Sequence, residues 1–391
     1  MTLELDRSRL RRAKVAVGVT FAANGLAYAG WLGRAPAARD DLGLSPAGFG
    51  LLLLCLSAAA IAWVPLAGPL VHRAGAARAV LAGSTALALG LIGLAVGAYA
   101  ASVPLAGVGL VLVGVGNSTW DVAMNVEGAA VERSLRRTVM PRFHAGFSLG
   151  TVAGAGLSAA AAAAGVSLSV QLAGTAVLTG GAMVVTVRRF LPHPAPPPGG
   201  RQPPRVRQAW RTPRTLLIGL VMLGFGFTEG TANDWLAIGL VDDYRAGETV
   251  AATAFGAFVA AMTVARFFGG VAIERWGRVT VLRLTAGSGV LGLLLVVVGA
   301  GVPVALAGAV FWGAGASLGF PIGMSAAADD PVRAAVDVSV AGAIGYGAFL
   351  AGPPLIGFLA GRFGVLHAML AVLVALGLGV AASGAARPAS R

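Results

Sequence analysis

Apolar residues fill consecutive positions over stretches of about 20 residues, the length of helix that crosses a bilayer core of about 30 Å. Short turns bearing arginine separate the stretches. Runs such as Leu51–Leu56 and Leu291–Val298 are apolar at every position. A membrane β-barrel strand would alternate apolar and polar residues, so the pattern predicts helices, whose backbone groups are paired internally. The predicted spans are 13–33, 46–67, 79–99, 104–126, 143–164, 168–188, 215–238, 250–272, 280–300, 304–326, 338–360 and 365–384. Only Gly165, Val166 and Ser167 divide the fifth from the sixth.

The longest polar stretch, Arg188–Arg214, follows span six and contains seven prolines between Pro192 and Pro204. Proline at that density opposes helix and favours an extended linker. The expected organisation is therefore a bundle of six helices at 1–190, a cytoplasmic Pro/Arg-rich linker at 191–213 and a second six-helix bundle at 214–391.

Composition agrees: 57% of residues are hydrophobic, 12% are charged, and mean hydropathy is +0.81. A net charge of +13 raises nucleic-acid binding as a possibility, but the positions of the charges give a simpler account. With the N-terminus inside, the inner segments carry 24 basic residues and the outer loops carry four, Arg34, Arg39, Arg245 and Arg362. That asymmetry predicts both termini on the cytoplasmic side, with the linker arginines against anionic headgroups. The apolar run after Arg7–Lys14 is too long for a signal peptide and reads as the first retained span.

One cysteine, Cys55, permits no intrachain disulfide and no cysteine metal cluster. No G-x4-G-K-[ST] loop, H-E-x-x-H or nucleophile elbow appears, so neither ATP drive nor enzymatic chemistry is expected, and no cofactor or metal is expected. Of the 29 basic residues 28 are arginine, and with 58 glycines this composition points to a GC-rich genome. The expectation is a multi-pass monomer in the cytoplasmic membrane of a bacterium. Its partners would be the lipid bilayer, a small-molecule solute and H+, with no nucleic acid.

Internal echoes support the division into halves. Phe21–Trp31 reads FAANGLAYAGW, and Phe225–Trp235 reads FGFTEGTANDW at a shift of 204. Gly68, Arg73 and Gly75 set a G-x4-R-x-G spacing. Gly270, Arg275 and Gly277 repeat it 202 residues later, and Gly357, Arg362 and Gly364 repeat it after a further 87. These copies follow spans two, eight and eleven, as three-span repeats nested in six-span halves would place them.

This motif resembles that of the major facilitator superfamily, whose fuller form is G-x-x-x-D-R-x-G-R-[RK]. The second copy, running from Gly270 through Glu274 and Arg275 to Gly277 and Arg278, is close to it, with Glu for Asp; the first copy has His72 where the acid is expected. The run Gly352-Pro353-Pro354-Leu355-Ile356-Gly357 is similar to that family's eleventh helix. Three further segments resemble the MosC-like/YbjJ-like branch: Asp121 to Asn125, Met140 to Gly150, and Glu229 to Trp235. The resemblance implies an all-α membrane fold of two pseudo-symmetric six-helix bundles and a secondary active transporter working by alternating access. Proton-coupled export is the first expectation. Proton-coupled uptake of a sugar, polyol or inositol-type solute is the alternative, and a non-transporting receptor or scaffold is a remote one.

A charge at mid-bilayer costs about 2.5–3.5 kcal/mol on insertion scales, so each one requires a partner, water or a function. Glu229, near the middle of span seven between Gly226 and Gly230, is the first candidate for carrying a proton, and Asp121 is the second. Asn117, Asp121 and Asn125 recur every four residues and form a polar stripe on span four. Asn24, Tyr28, Asn117, Asn125, Asn233, Asp234 and Tyr346 are candidate solute contacts. In the resembling family the first and seventh helices line the pathway, which would set Asn24 opposite Glu229. Arg266 is the basic residue set deepest inside a predicted span, and it is expected to snorkel inward or to pair with Glu274 or Asp121. Glu274, Arg275 and Arg278 form an expected inner cluster, with Glu274 facing the N-terminus of span five. Gly68, Arg73, Gly75, Gly270 and Gly277 complete the gating set. Pro321, Gly323, Gly352, Pro353 and Pro354 are expected bend points, and Trp31 and Trp235 expected interfacial anchors.

Overall fold

A computed structural model describes residues 7–192 and 205–388, so most of the proline-rich linker, 193–204, lies outside the described residues. All regular structure among the described residues is helical. Twelve helices there are long and apolar enough to cross a membrane: Arg7–Leu32, Gly48–Ala74, Ala76–Tyr99, Val103–Leu135, Met140–Ala163, Leu168–Arg189, Pro213–Asp242, Val250–Trp276, Arg278–Val298, Val302–Ala327, Ala334–Phe363 and Val365–Ala386. They are spans one to twelve below. Each matches one predicted stretch, most of them extended by polar turns at the ends. Two short helices were not expected: Ala35–Asp41 after span one and Val206–Ala209 before span seven.

Span ten is interrupted. One helix ends at Ala316 and the next runs Gly319–Ala327, so the break falls one turn before the expected bend at Pro321. The displacement follows from how proline acts. Its ring has no N–H to give the carbonyl four residues earlier and crowds that same group. For Pro321 that carbonyl belongs to Ser317, where the helix opens. Pro353 and Pro354, by contrast, lie inside the continuous helix Ala334–Phe363. Span twelve also divides, into Val365–Ala368 and Ala371–Ala382.

The repeated motif acquires a backbone reason. Gly75, Gly277 and Gly364 close their spans with φ of 81°, 78° and 81° and ψ near 155–160°. This is a region open to glycine and strained for other L-residues. One conformation recurs at three turns because each joins two helices by a single residue.

The chain forms two compact units. Unit one comprises 1–136, 146–206 and 330–339; unit two comprises 137–145, 207–329 and 340–391. The entrance of span five therefore clusters with the second half of the chain, and the entrance of span eleven with the first half. In unit one, spans three and four pack backbone to backbone: a Cβ on Gly90 would lie 2.6 Å from the Gly109 oxygen, and one on Gly83 would lie 2.8 Å from the Gly116 oxygen. In unit two, a Cβ on Gly308 would lie 2.7 Å from the Gly292 oxygen, the same device between spans nine and ten. Small residues at such interfaces are what lets membrane helices associate closely.

Trp31 is 2% exposed and Trp235 is half-buried. Both pack inside their units, which corrects the expectation of interfacial anchors. Phe21 and Phe225, ten residues before them, are also buried, so the sequence echo marks a repeated packing position.

Candidate functional site

In unit one the polar residues of spans one and four meet. Asn24 Nδ2 donates to Asn117 Oδ1 at 3.1 Å across the two helices. Asn24 is 1% exposed, and Asn117 is half-buried. Asn125 is fully buried, and its Nδ2 donates to the Asp121 carbonyl at 3.0 Å and to Asp121 Oδ1 at 3.2 Å. The predicted stripe thus exists, and its members pair along their own helix and with span one. Tyr28 is half-buried one turn beyond Asn24.

The sequence reading missed two neighbours. Trp63 of span two donates its indole N–H to Thr119 Oγ1 at 2.9 Å. Glu127 is fully buried, and its Oε1 accepts the Leu191 N–H at 2.7 Å. The predicted end of span four at 126 put Glu127 in a loop, whereas the helix runs on to Leu135. Helical spacing does not single Glu127 out, since two residues after Asn125 it sits about 200° round the helix from the stripe.

In unit two Glu229 pairs with Arg266. Arg266 Nη2 lies 2.7 Å from Glu229 Oε2, with the two side chains 5% and 15% exposed. Glu229 was not among the partners expected for Arg266, and the near-complete burial of Arg266 corrects the expectation of snorkelling. The other end of the guanidinium is held as well: Arg266 Nε donates to the Ser317 carbonyl at 3.0 Å, the acceptor stranded by Pro321. A buried guanidinium with a carboxylate on one side and a carbonyl on the other meets the demand that buried charge be paired and hydrogen-bonded.

Gly226 and Gly230 do not open span seven, which is helical throughout Pro213–Asp242. They make room for rings. A Cβ on Gly226 would fall 2.8 Å from Phe320 Cε2, and one on Gly230 would fall 3.1 Å from Phe349 Cδ1. Phe320, Tyr346 and Phe349 form a cluster with centroids 5.4–6.4 Å apart, so Tyr346 belongs to an aromatic group beside Glu229. Asn233 and Asp234 are exposed toward the end of span seven.

The expected inner cluster divides in two. Glu274 Oε1 accepts the Thr138 N–H at 2.7 Å, just ahead of the span-five helix that begins at Met140. Arg278 turns instead to Asp329, at 2.9 Å, and Asp329 also takes Arg214 at 2.6 Å. Asp329 was not singled out from sequence, because it sits with Asp330 in the loop between spans ten and eleven, where acids are ordinary and carry no pattern. Gly270 abuts the Thr138 carbonyl, and Gly68 is pressed against Ser339 and Ala335 in unit one. Arg73 and Arg275 are exposed.

Comparison with known proteins bears on this arrangement. The sequence profile of the Major Facilitator Superfamily matches residues 17–331. The chain is 33% identical over 324 residues to an uncharacterised transporter, y4wD, of Sinorhizobium fredii, covering 81% of this chain and 82% of that one. It is 26% identical over 370 residues to the membrane protein MosC of Rhizobium meliloti, covering 94% and 88%. Its fold is similar to that of the E. coli fucose:proton symporter FucP, with a TM-score of 0.77 at 14% identity over 95% of this chain and 97% of that one. With the profile spanning spans one to ten and relatives aligned along most of its length, this chain belongs to the Major Facilitator Superfamily.

Proposed function

We propose that this transporter is driven by H+ and moves a small organic solute by alternating access, with Glu229 exchanging between the Arg266 guanidinium and a proton. The observation that carries this reading is the ion pair itself, set near the middle of span seven and almost fully buried. A carboxylate at that depth is tolerated as a partner of a cation or as a neutral acid. Binding a proton therefore exchanges one tolerated state for the other. The reading includes a cytoplasmic-membrane location with both termini inside, supported by the basic-residue asymmetry.

The solute class we favour is an amphipathic organic compound exported by antiport. The ring cluster of Phe320, Tyr346 and Phe349 beside Glu229 supports it, since aromatic faces suit apolar surface. Uptake of a hydroxylated solute by symport is the second reading. It is supported by the paired amides Asn24 and Asn117 and by the similarity in fold to a fucose:proton symporter.

A thermal-shift screen of the purified protein against drugs, sugars and inositols supplies the solute. Proteoliposomes with an imposed pH gradient then test coupling. The expected result is gradient-driven movement in the parent protein and only downhill exchange in Glu229→Gln. Gradient-driven accumulation that survives in Glu229→Gln removes Glu229 from the proton path. Reversing the gradient separates antiport from symport.

A further inference from the structure

The interruption of span ten is gripped from two sides by residues one turn apart. From span eight, Arg266 Nε binds the Ser317 carbonyl, and Gly269 receives Leu318, whose Cδ1 would lie 3.0 Å from a Cβ there. From span seven, Phe225 lies against Gly319, and Glu229, one turn further, holds the same Arg266. Ser317, Leu318 and Gly319 are all buried, so the joint is contacted by protein and not by solvent.

We propose that Arg266 is a positioning residue that transmits the charge of Glu229 to the joint in span ten. The inference rests on the reading of Glu229 as the proton carrier. Its guanidinium spans two elements: the Nη2 side answers to span seven, the Nε side to span ten. When a proton adds to the Glu229 carboxylate, the anion that anchors Arg266 to span seven is gone. The joint then remains tied to span eight, while its link to span seven reduces to the Phe225 contact. The two helices of span ten, Val302–Ala316 and Gly319–Ala327, are released to change their mutual angle. Pro321 is what makes the device work. A residue with an N–H there could donate to the Ser317 carbonyl within span ten, in competition with Arg266.

Charged and titratable groups lie on several elements around the pair, among them Arg142 of span five, which donates to the Phe267 carbonyl of span eight. His144, at the entrance of span five, is in electrostatic contact with Arg266. Span ten has no titratable side chain between 302 and 327; residues 340–363 of span eleven contribute Tyr346 and Arg362, span twelve contributes His367, and span seven itself adds Asp234 near its outer end.

The experiment uses the full chain in lipid nanodiscs, with Cys55→Ser and spin labels at two exposed positions of unit two, Val310 on span ten and Val264 on span eight. The label separation is read at about pH 5 and about pH 8, conditions chosen to differ in carboxyl protonation. In the parent, the distance distribution should shift between the two conditions. Glu229→Gln should show the low-pH distribution at both. Arg266→Lys, with a single donor centre in place of a fork, should keep its thermal stability and lose the shift. Pro321→Ala should also lose it, for the opposite reason. No shift in the parent, or a parental shift in both Arg266→Lys and Pro321→Ala, overturns the proposal. If those two variants keep the shift while Glu229→Gln abolishes proton-driven transport, Glu229 coupling stands and the transmission route falls. A shift that persists in Glu229→Gln sinks both.

Discussion

Glu274 accepts the backbone N–H of Thr138 through Oε1, joining the end of span eight to the residue two before the span-five helix. The acid of the repeated motif therefore supplies a hydrogen-bond acceptor to a helix entrance, where donors are unsatisfied and the helix dipole favours negative charge. In the first copy His72 occupies the corresponding place, and no equivalent bond is formed by a carboxylate.

Replacing Glu274 by alanine removes that acceptor. Glu274 is exposed, so screening reduces the effect, and we expect a loss of about 1 kcal/mol, the ordinary size of a net hydrogen bond. Glu274→Gln keeps an oxygen in place and should retain more than half of the stability. Thermal unfolding in detergent, with His72→Glu as a gain-of-contact comparison, measures both. Equal melting temperatures for Glu274→Ala and the parent would show that the bond is not maintained in solution.

The closing glycines of the motif give a sharper expectation, because their conformation is settled by the backbone. At Gly75, Gly277 and Gly364, φ is near +80° and ψ near 155–160°. Alanine at any of them forces Cβ into conflict with its own backbone, at a cost of about 1–3 kcal/mol each, because this region is essentially confined to glycine. No neighbouring atom would meet a Cβ on Gly277, so the penalty there comes from backbone strain alone. Gly277→Ala should therefore lower the melting temperature without altering packing, and a substitution within experimental error of the parent would contradict the observed φ. Gly270→Ala differs in kind: there the Cβ would collide with the Thr138 carbonyl, and the Glu274 bond should be lost with it.

Much of this architecture was legible because the bilayer sets helix length. All twelve spans were visible as apolar stretches, and the motif copies fell where helices turn. What stayed hidden was set by atoms that sequence spacing does not encode. Pro321 announced a bend, but its effect falls on the Ser317 carbonyl four residues earlier, and the break appears there. Arg266 announced a partner, with Glu274 or Asp121 expected; that Glu229 holds it depends on how spans seven and eight face each other. Gly226 and Gly230 read as room for close approach or for local helix opening beside Glu229, and the rings of Phe320 and Phe349 fill that room. Glu127 was lost because a boundary drawn from hydropathy stopped at 126, short of the charged run that begins at Glu127, while the helix continues to Leu135.

Pro321→Ala tests the origin of the interruption. The substitution gives Ser317 a helical donor and removes the ring clash, and interior proline costs a helix about 3 kcal/mol. Because the native fold already accommodates the break through Arg266, the gain should be a fraction of that. We expect a higher melting temperature together with slower solute turnover. A lower melting temperature would mean that the broken conformation is stabilised by its surroundings more than proline destabilises it.

The Glu229–Arg266 pair should respond asymmetrically to loss of either partner. Breaking a buried pair from one side costs about 3–5 kcal/mol, mostly through the charge left behind. Arg266→Met leaves the Glu229 carboxylate without its cation and the Ser317 carbonyl without its donor, so two buried groups lose a partner in one step. Glu229→Gln removes the anion but leaves Arg266 its bond to the Ser317 carbonyl. It should therefore be the milder change. The double variant Glu229→Gln/Arg266→Met removes both charges of the pair and should recover part of the stability lost in Arg266→Met, while remaining inactive in proton-driven transport. Melting temperatures of the three variants form a double-mutant cycle whose coupling energy isolates the pair. A coupling near zero would mean that the two charges are stabilised independently, and Glu229 would then have no need of Arg266 when its proton leaves.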